Sequence, residues 1–122
     1  MIIEDEPLIA MDIEQMVESL GHSVVGIART RDEAVDLFKA RQPRIVLADV
    51  HLADGSSGID AVNDILKKEA IPVIFITAFP ERLLTGKRPE PTFLVTKPFN
   101  PEMVKALITQ ALFFQERSKT VA

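Results

Sequence analysis

Short apolar runs alternate with amphipathic segments along the whole chain, and this alternation predicts the secondary structure. Largely apolar runs of strand length occupy residues 1–3, 23–28, 45–48, 73–76 and 93–96. Strands of this kind, separated by amphipathic helices, are typical of a parallel sheet that helices cover on both faces. The pattern therefore predicts an α/β fold with five strands.

Residues that favour helix starts and helix ends mark the first two helices. Pro7 suits the first turn of a helix, and apolar positions recur after it every three or four residues until Gly21, a common helix stop. Thr30, with Glu33 three residues later, forms a capping box at the start of the second helix. Gln42 and the proline after it end this second helix.

The third and the last helix carry similar signals. The third is expected from about residue 59 to residue 69. The last begins with Asn100 as its N-cap and Pro101 at its first position. Its expected inner face consists of Met103, Leu107, Ile108, Ala111 and Leu112.

The segment between the fourth and fifth strands lacks a regular helix pattern. Residues 79–92 contain Pro80, Pro89, Pro91 and one glycine. A proline inside a helix costs about 3 kcal/mol and disfavours helical backbone in the residue before it. We therefore expect at most one or two helical turns, around residues 81–85, and a fourth helix that is short or irregular.

Composition limits the class of protein. The chain has 122 residues, which suffice for one domain with a single core. Apolar residues make up 47%, charged residues 26%, and the net charge is −4, which argues against disorder and against direct DNA binding. No apolar run approaches the roughly 20 residues that span a membrane. The absence of cysteine excludes disulfides and thiolate metal sites, and fits a cytoplasmic protein.

The first strand is unusually short. Only Met1, Ile2 and Ile3 precede its acidic end, whereas a strand usually has about 5–6 residues. We therefore expect this chain to be part of a longer protein, with residues 1–122 forming one domain of it.

Polar side chains follow four of the predicted strands at the point where each strand ends. Glu4 and Asp5 follow the first strand, Asp49 the third, Thr77 the fourth and Lys97 the fifth. The carboxyl ends of parallel strands line one edge of the sheet, so these side chains are expected to meet there. Each residue taken alone also has an ordinary explanation: a solvated acidic turn, an Asp that starts a turn, or a Thr that favours a strand.

Four sequence segments in this order resemble the receiver domain of two-component response regulators. They are IIEDE, LADVHLADGSSG, FITAF and LVTKPF, and each lies at a strand end. The resemblance covers essentially the whole chain. It implies a flavodoxin-like (CheY-like) doubly wound fold, with five parallel strands in the order 2-1-3-4-5 and helices on both faces.

The resemblance also implies a magnesium site. Glu4 and Asp5 correspond to the acidic pair that holds the cation, and Asp49 and the backbone carbonyl of His51 complete the protein ligands. Mg²⁺ prefers oxygen ligands and is often shared with a phosphate, which agrees with this set. We expect the His51 side chain itself to be solvated.

A phosphoryl-transfer role follows from the same resemblance. Asp49 is the expected phosphoacceptor for a histidine kinase or a phosphotransfer protein, because a carboxylate can carry an acyl phosphate. Lys97 and Thr77 are expected to contact the phosphoryl oxygens, and the bond before Pro98 is expected to be cis, as in similar receivers. Such a domain catalyses only its own phosphorylation and dephosphorylation, and is not an enzyme in the usual sense.

Residues 75–99 indicate a particular subfamily of receiver domains. They are similar to the receivers of PhyR-type general stress response regulators of alphaproteobacteria. That family implies a sigma-like domain upstream in the same polypeptide. Phosphorylation releases this domain to sequester an anti-sigma factor, so the expected output is anti-anti-sigma partner switching, with no DNA contact and no membrane.

The output face departs from the common receiver pattern. An aromatic residue is common three positions before the Lys, but this chain has Leu94 there, beside Phe93. We expect Leu83, Leu84 and Phe93 to offer apolar contacts to the sigma-like domain. The expected basic rim consists of Arg82, Lys87 and Arg88. The alternative is that the three apolar side chains pack on the sheet.

Two other functions remain open at the level of sequence. A receiver that binds its partner without phosphorylation is compatible with Leu94. A phosphohydrolase with an Asp nucleophile uses similar residues, but it normally has a second carboxylate two positions after the nucleophile, where this chain has His51.

Overall fold

Five parallel strands form one sheet in the order β2-β1-β3-β4-β5. The computed structural model describes residues 1–83 and 92–121. The strands are β1 (Ile2–Ile3), β2 (Ile27–Ala28), β3 (Val46–Ala48), β4 (Val73–Thr77) and β5 (Thr92–Thr96). The helices are α1 (Pro7–Ser19), α2 (Arg31–Arg41), α3 (Gly58–Leu66) and α4 (Pro101–Val121), with a 3-10 turn at Pro80–Arg82. The predicted fold class and strand order are confirmed.

Two apolar clusters cover the two faces of the sheet. Neighbouring strand residues such as Ile2 and Ile3 belong to different clusters, because side chains alternate across a strand. One cluster includes Ala34 and Phe38 of α2 and Ala61, Val62 and Ile65 of α3. The other includes Ile13, Met16 and Val17 of α1 and Val104, Ile108 and Leu112 of α4. Burial on both faces explains why the strands are almost entirely apolar.

The expected capping residues start their helices. The Thr30 hydroxyl accepts the backbone N–H of Glu33 at 3.1 Å, and the Asn100 side chain accepts that of Glu102 at 2.9 Å. The Glu33 carboxylate accepts the N–H of Arg29 at 3.0 Å, one residue before the N-cap. Side chains therefore satisfy backbone donors that have no partner within a helix.

Two element boundaries and one helix face differ from the sequence-based expectation. β2 covers only Ile27–Ala28, because it pairs with β1 alone and β1 has only two residues. α3 ends at Leu66, since the next three residues are charged and exposed. In α4, Met103 is 49% exposed, and Val104 is fully buried in its place. The helical period itself favours Val104, because Leu107, Ile108, Ala111 and Leu112 follow it at i+3, i+4, i+7 and i+8, so the choice of Met103 was wrong by one position.

The connection between β4 and β5 contains little regular structure among the described residues. It forms the 3-10 turn at Pro80–Arg82, which fits the proline content of this segment. Residues 84–91 lie outside the described part of the chain, so the expectation for residues 81–85 is tested only in its first half. Across the described residues, no helix is long and apolar enough to cross a membrane.

Candidate functional site

Lys97 connects two acidic residues from different strands. Its Nζ donates to Glu4 Oε1 at 2.6 Å and to Asp49 Oδ2 at 2.9 Å. Glu4 follows β1, Asp49 follows β3 and Lys97 follows β5, so the carboxyl edge of the sheet brings the three side chains together. The lysine ammonium places a positive charge between the two carboxylates.

Glu4 is the most buried carboxylate of the site. Its exposed fraction is 2%, and its Oε2 accepts the backbone N–H of Asp5 at 3.0 Å. Burial raises the pKa of Glu4, the hydrogen bond from Lys97 opposes this effect, and the charge of Asp49 adds to the rise, so that the pKa is about 7. Glu4 is therefore a carboxyl group whose ionisation depends on a nearby cation.

Lys97 remains charged despite its burial. Burial lowers the pKa of Lys97, but hydrogen bonds to Glu4 and Asp49 and their negative charges outweigh it, so the pKa lies above the ordinary value. The peptide bond between Lys97 and Pro98 is cis, as the resemblance implied.

Three carboxylates at this edge are close enough to share a divalent cation. One oxygen from each of Glu4, Asp5 and Asp49 lies within 4.8 Å of the others. Oxygen atoms are the ligands that Mg²⁺ and Ca²⁺ prefer, and three acidic groups this close repel one another unless a cation lies near them. The donor set therefore fits a magnesium ion, as expected from the sequence.

The Asp49 carboxylate is held at both oxygens. Its Oδ1 accepts the N–H of Val50 at 2.6 Å, while Oδ2 accepts from Lys97. The side chain is 10% exposed, which leaves one small route of approach. These contacts fix the orientation of the Asp49 carboxylate at the centre of the site.

Gly58 allows the third helix to approach Asp49, a role that sequence reasoning did not identify. A Cβ at Gly58 would lie 1.7 Å from the Asp49 carbonyl oxygen, which is impossible without movement of the backbone. The Gly58 N–H donates to Val50 O at 2.7 Å. The only signal in the sequence was a glycine at the expected start of a helix.

Thr77 is fully buried at the end of β4. Its hydroxyl oxygen accepts the backbone N–H of Phe79 at 3.0 Å, and its carbonyl accepts the N–H of Lys97 at 2.9 Å. A hydroxyl that accepts one hydrogen bond keeps its own O–H for donation. Thr77 therefore has a donor to offer to a negatively charged group.

His51 differs from the expected solvated side chain. It is half-buried, and its Nε2 is buried without a hydrogen-bond partner among the described residues. Its ring packs edge-to-face on Phe79, with ring centroids 4.3 Å apart and an interplanar angle of 71°. The ring is therefore part of a packed contact, while the role of its carbonyl as a metal ligand stays a prediction.

The residues expected to contact a partner lie in different environments. Leu83 is 2% exposed within the core, so it offers no apolar surface here, which favours the alternative that it packs on the sheet. Phe93 packs partly buried with the α1–α4 cluster, and Leu94 with the opposite one. Phe93 therefore lies on the other face of the sheet from Leu94. It does not take the place of the aromatic residue that is common at the position of Leu94. Leu84 lies outside the described residues.

Arg31 anchors the loop between β3 and α3, which the sequence did not indicate. Its guanidinium binds both carboxylate oxygens of Asp64, at 2.6 and 3.0 Å. The backbone N–H of Arg31 donates to the Ser56 hydroxyl at 3.2 Å. Ser56 in turn donates its hydroxyl to Asp54. Arg31 and Asp64 are 33 positions apart, so no local motif could have identified the pair.

The chain is similar to known proteins in both sequence and structure. The family model for the response regulator receiver domain matches residues 1–109. Over 120 residues the chain is 63% identical to the phyllosphere-induced regulator PhyR of Methylorubrum extorquens, covering 98% of this chain and 45% of that protein. The solution structure of the PhyR receiver domain from Erythrobacter litoralis is 60% identical, with a TM-score of 0.86, covering 93% of this chain and 89% of that one.

One similar structure contains a partner protein. PhyR of Bartonella quintana, described as an anti-anti-sigma factor, was crystallised in complex with the anti-sigma factor NepR. It is 80% identical, with a TM-score of 0.62, and the match covers 93% of this chain and 46% of that one. The chain spans about half the length of the curated relatives it matches.

Proposed function

This chain belongs to the response regulator receiver family and to its PhyR-type members, and from this premise we propose that it is phosphorylated on Asp49 to control a protein–protein contact. The observation that carries the proposal is the buried arrangement in which Lys97 binds both Glu4 and Asp49. The matched family is not an enzyme family. The proposed reaction is accordingly the phosphorylation of the chain itself.

Asp49 acts as the nucleophile in this proposal. One of its carboxylate oxygens attacks the phosphorus of a phosphohistidine on a kinase or phosphotransfer protein; a P–O bond forms and the P–N bond breaks. The Val50 N–H orients the carboxylate through Oδ1. Lys97, bound to Oδ2, is in place to follow the new phosphoryl oxygens and to balance their charge. The imidazole of the donor leaves with its electron pair and takes up a proton.

Glu4, Asp5 and Asp49 would hold the magnesium ion, with the carbonyl of His51 as a fourth protein ligand. When bound, the cation offsets the negative charge of the transferred phosphoryl group. The pKa of about 7 places Glu4 between its two ionisation states at neutral pH in the metal-free protein. Its carboxylate form is the one that a cation stabilises.

The proposed output is partner switching in a general stress response. The supporting observation is the similarity to PhyR of Bartonella quintana, an anti-anti-sigma factor that binds NepR. By this analogy, the receiver contacts a sigma-like domain of the same polypeptide, and phosphorylation releases that domain to an anti-sigma factor. Such a protein acts in the cytoplasm, where its kinase and its partners meet.

Phosphoryl labelling tests the proposal directly. We expect a phosphorylated histidine kinase, or acetyl phosphate with Mg²⁺, to add one phosphoryl group, detected by intact mass. Asp49→Asn should abolish the labelling. Asp54→Asn is the matched control, because Asp54 is an exposed carboxylate in the same loop. Labelling that survives Asp49→Asn, or that disappears in Asp54→Asn, would contradict the assignment.

A further inference from the structure

Two loops at the candidate site touch through a pair of rings. His51 lies in the loop after β3, and Phe79 lies two residues after the end of β4. The centroids of their rings are 4.3 Å apart in a T-shaped arrangement, which is a favourable geometry for aromatic pairs. His51 is also tied to its own loop by a backbone bridge to Ser57. The ring contact therefore joins the β3 loop to the β4 loop.

Thr77 controls the backbone at Phe79. Its hydroxyl oxygen is the acceptor for the Phe79 N–H at 3.0 Å, a local turn of the kind that Thr side chains form. Thr77 itself is fully buried, whereas Phe79 is 45% exposed. A buried hydroxyl thus fixes the direction of a ring that has much of its surface in solvent.

A movement of the Thr77 hydroxyl would act on the backbone that carries the Phe79 ring. If the side chain rotates towards an anion at Asp49, its oxygen leaves the Phe79 N–H, and the backbone at Phe79 loses this restraint. If the side chain instead keeps that hydrogen bond, the backbone of Phe79 moves with it. In both cases the backbone of Phe79 is no longer held where its ring meets that of His51.

We propose that Phe79 is a coupling residue: engagement of the Thr77 hydroxyl by an anion on Asp49 opens the Phe79–His51 ring contact and so links the two loops. The inference rests on the proposed function, because it needs an anion at Asp49. It assigns the coupling to a hydrogen bond and a ring contact within the described residues. Leu94, which packs partly buried against the core, is not required for it.

The coupling is reciprocal. A ring contact that opens when Thr77 engages must, when it is closed, disfavour that engagement by the same free energy. Replacing Phe79 by a smaller side chain removes this opposition and should leave the core intact, since Phe79 is exposed. Phe79→Leu therefore keeps an apolar residue and deletes the ring.

Nuclear magnetic resonance of the full chain tests the link. The chain has only two histidines, so a His22→Gln variant identifies the ring-proton resonances of His51. We expect Phe79→Leu to shift these resonances in the free protein, because it removes the ring current of Phe79. Addition of Mg²⁺ and beryllofluoride, a non-covalent mimic of a phosphoryl group on a carboxylate, should then shift them in the wild type.

Three variants isolate the contribution of the coupling. The shift caused by beryllofluoride should be retained in Thr77→Ser and reduced in Thr77→Val, which has no hydroxyl. It should also be smaller in Phe79→Leu, where only direct effects of the bound anion remain. A ¹⁹F resonance from bound beryllofluoride, lost in Asp49→Asn, confirms binding in each case.

The possible outcomes distinguish a failure of the proposed coupling from a failure of the proposed function. Bound beryllofluoride with equal His51 shifts in the wild type, Thr77→Val and Phe79→Leu would overturn the coupling and leave the proposed function standing. The same holds if Phe79→Leu leaves the His51 resonances of the free protein unchanged. No bound ¹⁹F resonance in the wild type would overturn both, because no anion would then engage Thr77.

Discussion

The loops after β3 and after β4, which both leave the sheet at the candidate site, are held in different ways. In the loop of residues 51–57, the Ala53 N–H donates to Arg29 O at 3.1 Å and the Arg31 N–H to Ser56, so this loop is fastened to the neighbouring β2–α2 connection. In residues 78–83, backbone N–H groups bind acceptors close by in the chain: Phe79 donates to the Thr77 hydroxyl, Arg82 to Phe79 O, and Leu83 to Pro80 O.

This difference suits the two loops to different tasks. A loop with bonds to other elements keeps its backbone carbonyls in place, as a metal ligand requires. A segment held by local bonds opens with a smaller free-energy cost, as a segment that reports a change must. The buried side chain of Leu83 limits the movement of the second loop to the residues before it. The following predictions test this contrast.

The largest effect is expected at the start of α3. Gly58→Ala places a Cβ 1.7 Å from Asp49 O, and the backbone of the fastened loop has no room to yield. We expect a loss of roughly 4 kcal/mol in the free energy of unfolding, at or above the usual range for overpacking. Urea denaturation measures it.

Gly55→Ala is the control for this substitution. Gly55 has φ +80° and nothing within 4 Å of its Cβ position, so it tests backbone strain without a clash. Its cost should be about 1–2 kcal/mol, the usual penalty for a side chain in left-handed backbone. Equal losses in the two variants would show that the close approach to Asp49 is unimportant.

A smaller effect is expected at Leu83. Leu83→Ala removes a fully buried side chain, which typically costs 2–5 kcal/mol. Because the backbone N–H groups of Phe79, Arg82 and Leu83 bind locally, residues 78–83 can relax into part of the space, and we expect the low end of this range, about 2 kcal/mol. Ile65→Ala, in α3 and equally buried, should cost more. A larger loss at Leu83 than at Ile65 would contradict the contrast between the two loops.

The features that follow from the order of the strands could be predicted from the sequence. Parallel strands end at one edge, so the approach of Glu4, Asp49 and Lys97 followed from strand assignments alone. Helix starts at Thr30 and Asn100 were predictable for a similar reason, because a cap is a local interaction.

The remaining features depend on distances between elements that are remote in the chain. The pairing of Arg31 with Asp64, the approach of Gly58 to Asp49, and the packing of Phe79 on His51 have no periodic or local signature. Tertiary packing, which a pattern does not contain, decided each of them.

The affinity of the site for Mg²⁺ should depend on pH. A cation needs the carboxylate form of Glu4, and the pKa of about 7 means that this group is largely protonated below pH 7. Mg²⁺ binding should therefore tighten as the pH rises through 7, by about tenfold between pH 6 and pH 8, with release of protons. Calorimetry in two buffers of different ionisation enthalpy measures both quantities.

Glu4→Gln is the matched control for this pH dependence. It keeps the shape of the side chain and removes the titrating group, so proton release on binding should largely disappear while affinity falls. The raised pKa also predicts that the metal-free wild type loses stability as the pH rises from the ordinary value of Glu4 towards 7, since the folded state holds the proton more tightly. An unchanged proton release in Glu4→Gln would assign the effect to another group.

The smallest effect is expected at Arg31, whose exposed guanidinium binds Asp64 at the rim of the fastened loop. Exposed ion pairs contribute little to stability, so Arg31→Met should barely change the urea midpoint. If the pair instead positions the loop, the Mg²⁺ concentration for half-maximal phosphorylation should rise about twofold, with the rate at saturating Mg²⁺ unchanged. Asp64→Asn should act in the same direction, and the double variant should be no worse than either single one, because the two changes remove one interaction. Additive effects of the two substitutions would show that the residues act separately, and the contrast between a fastened and a locally held loop would then rest on the backbone hydrogen bonds alone.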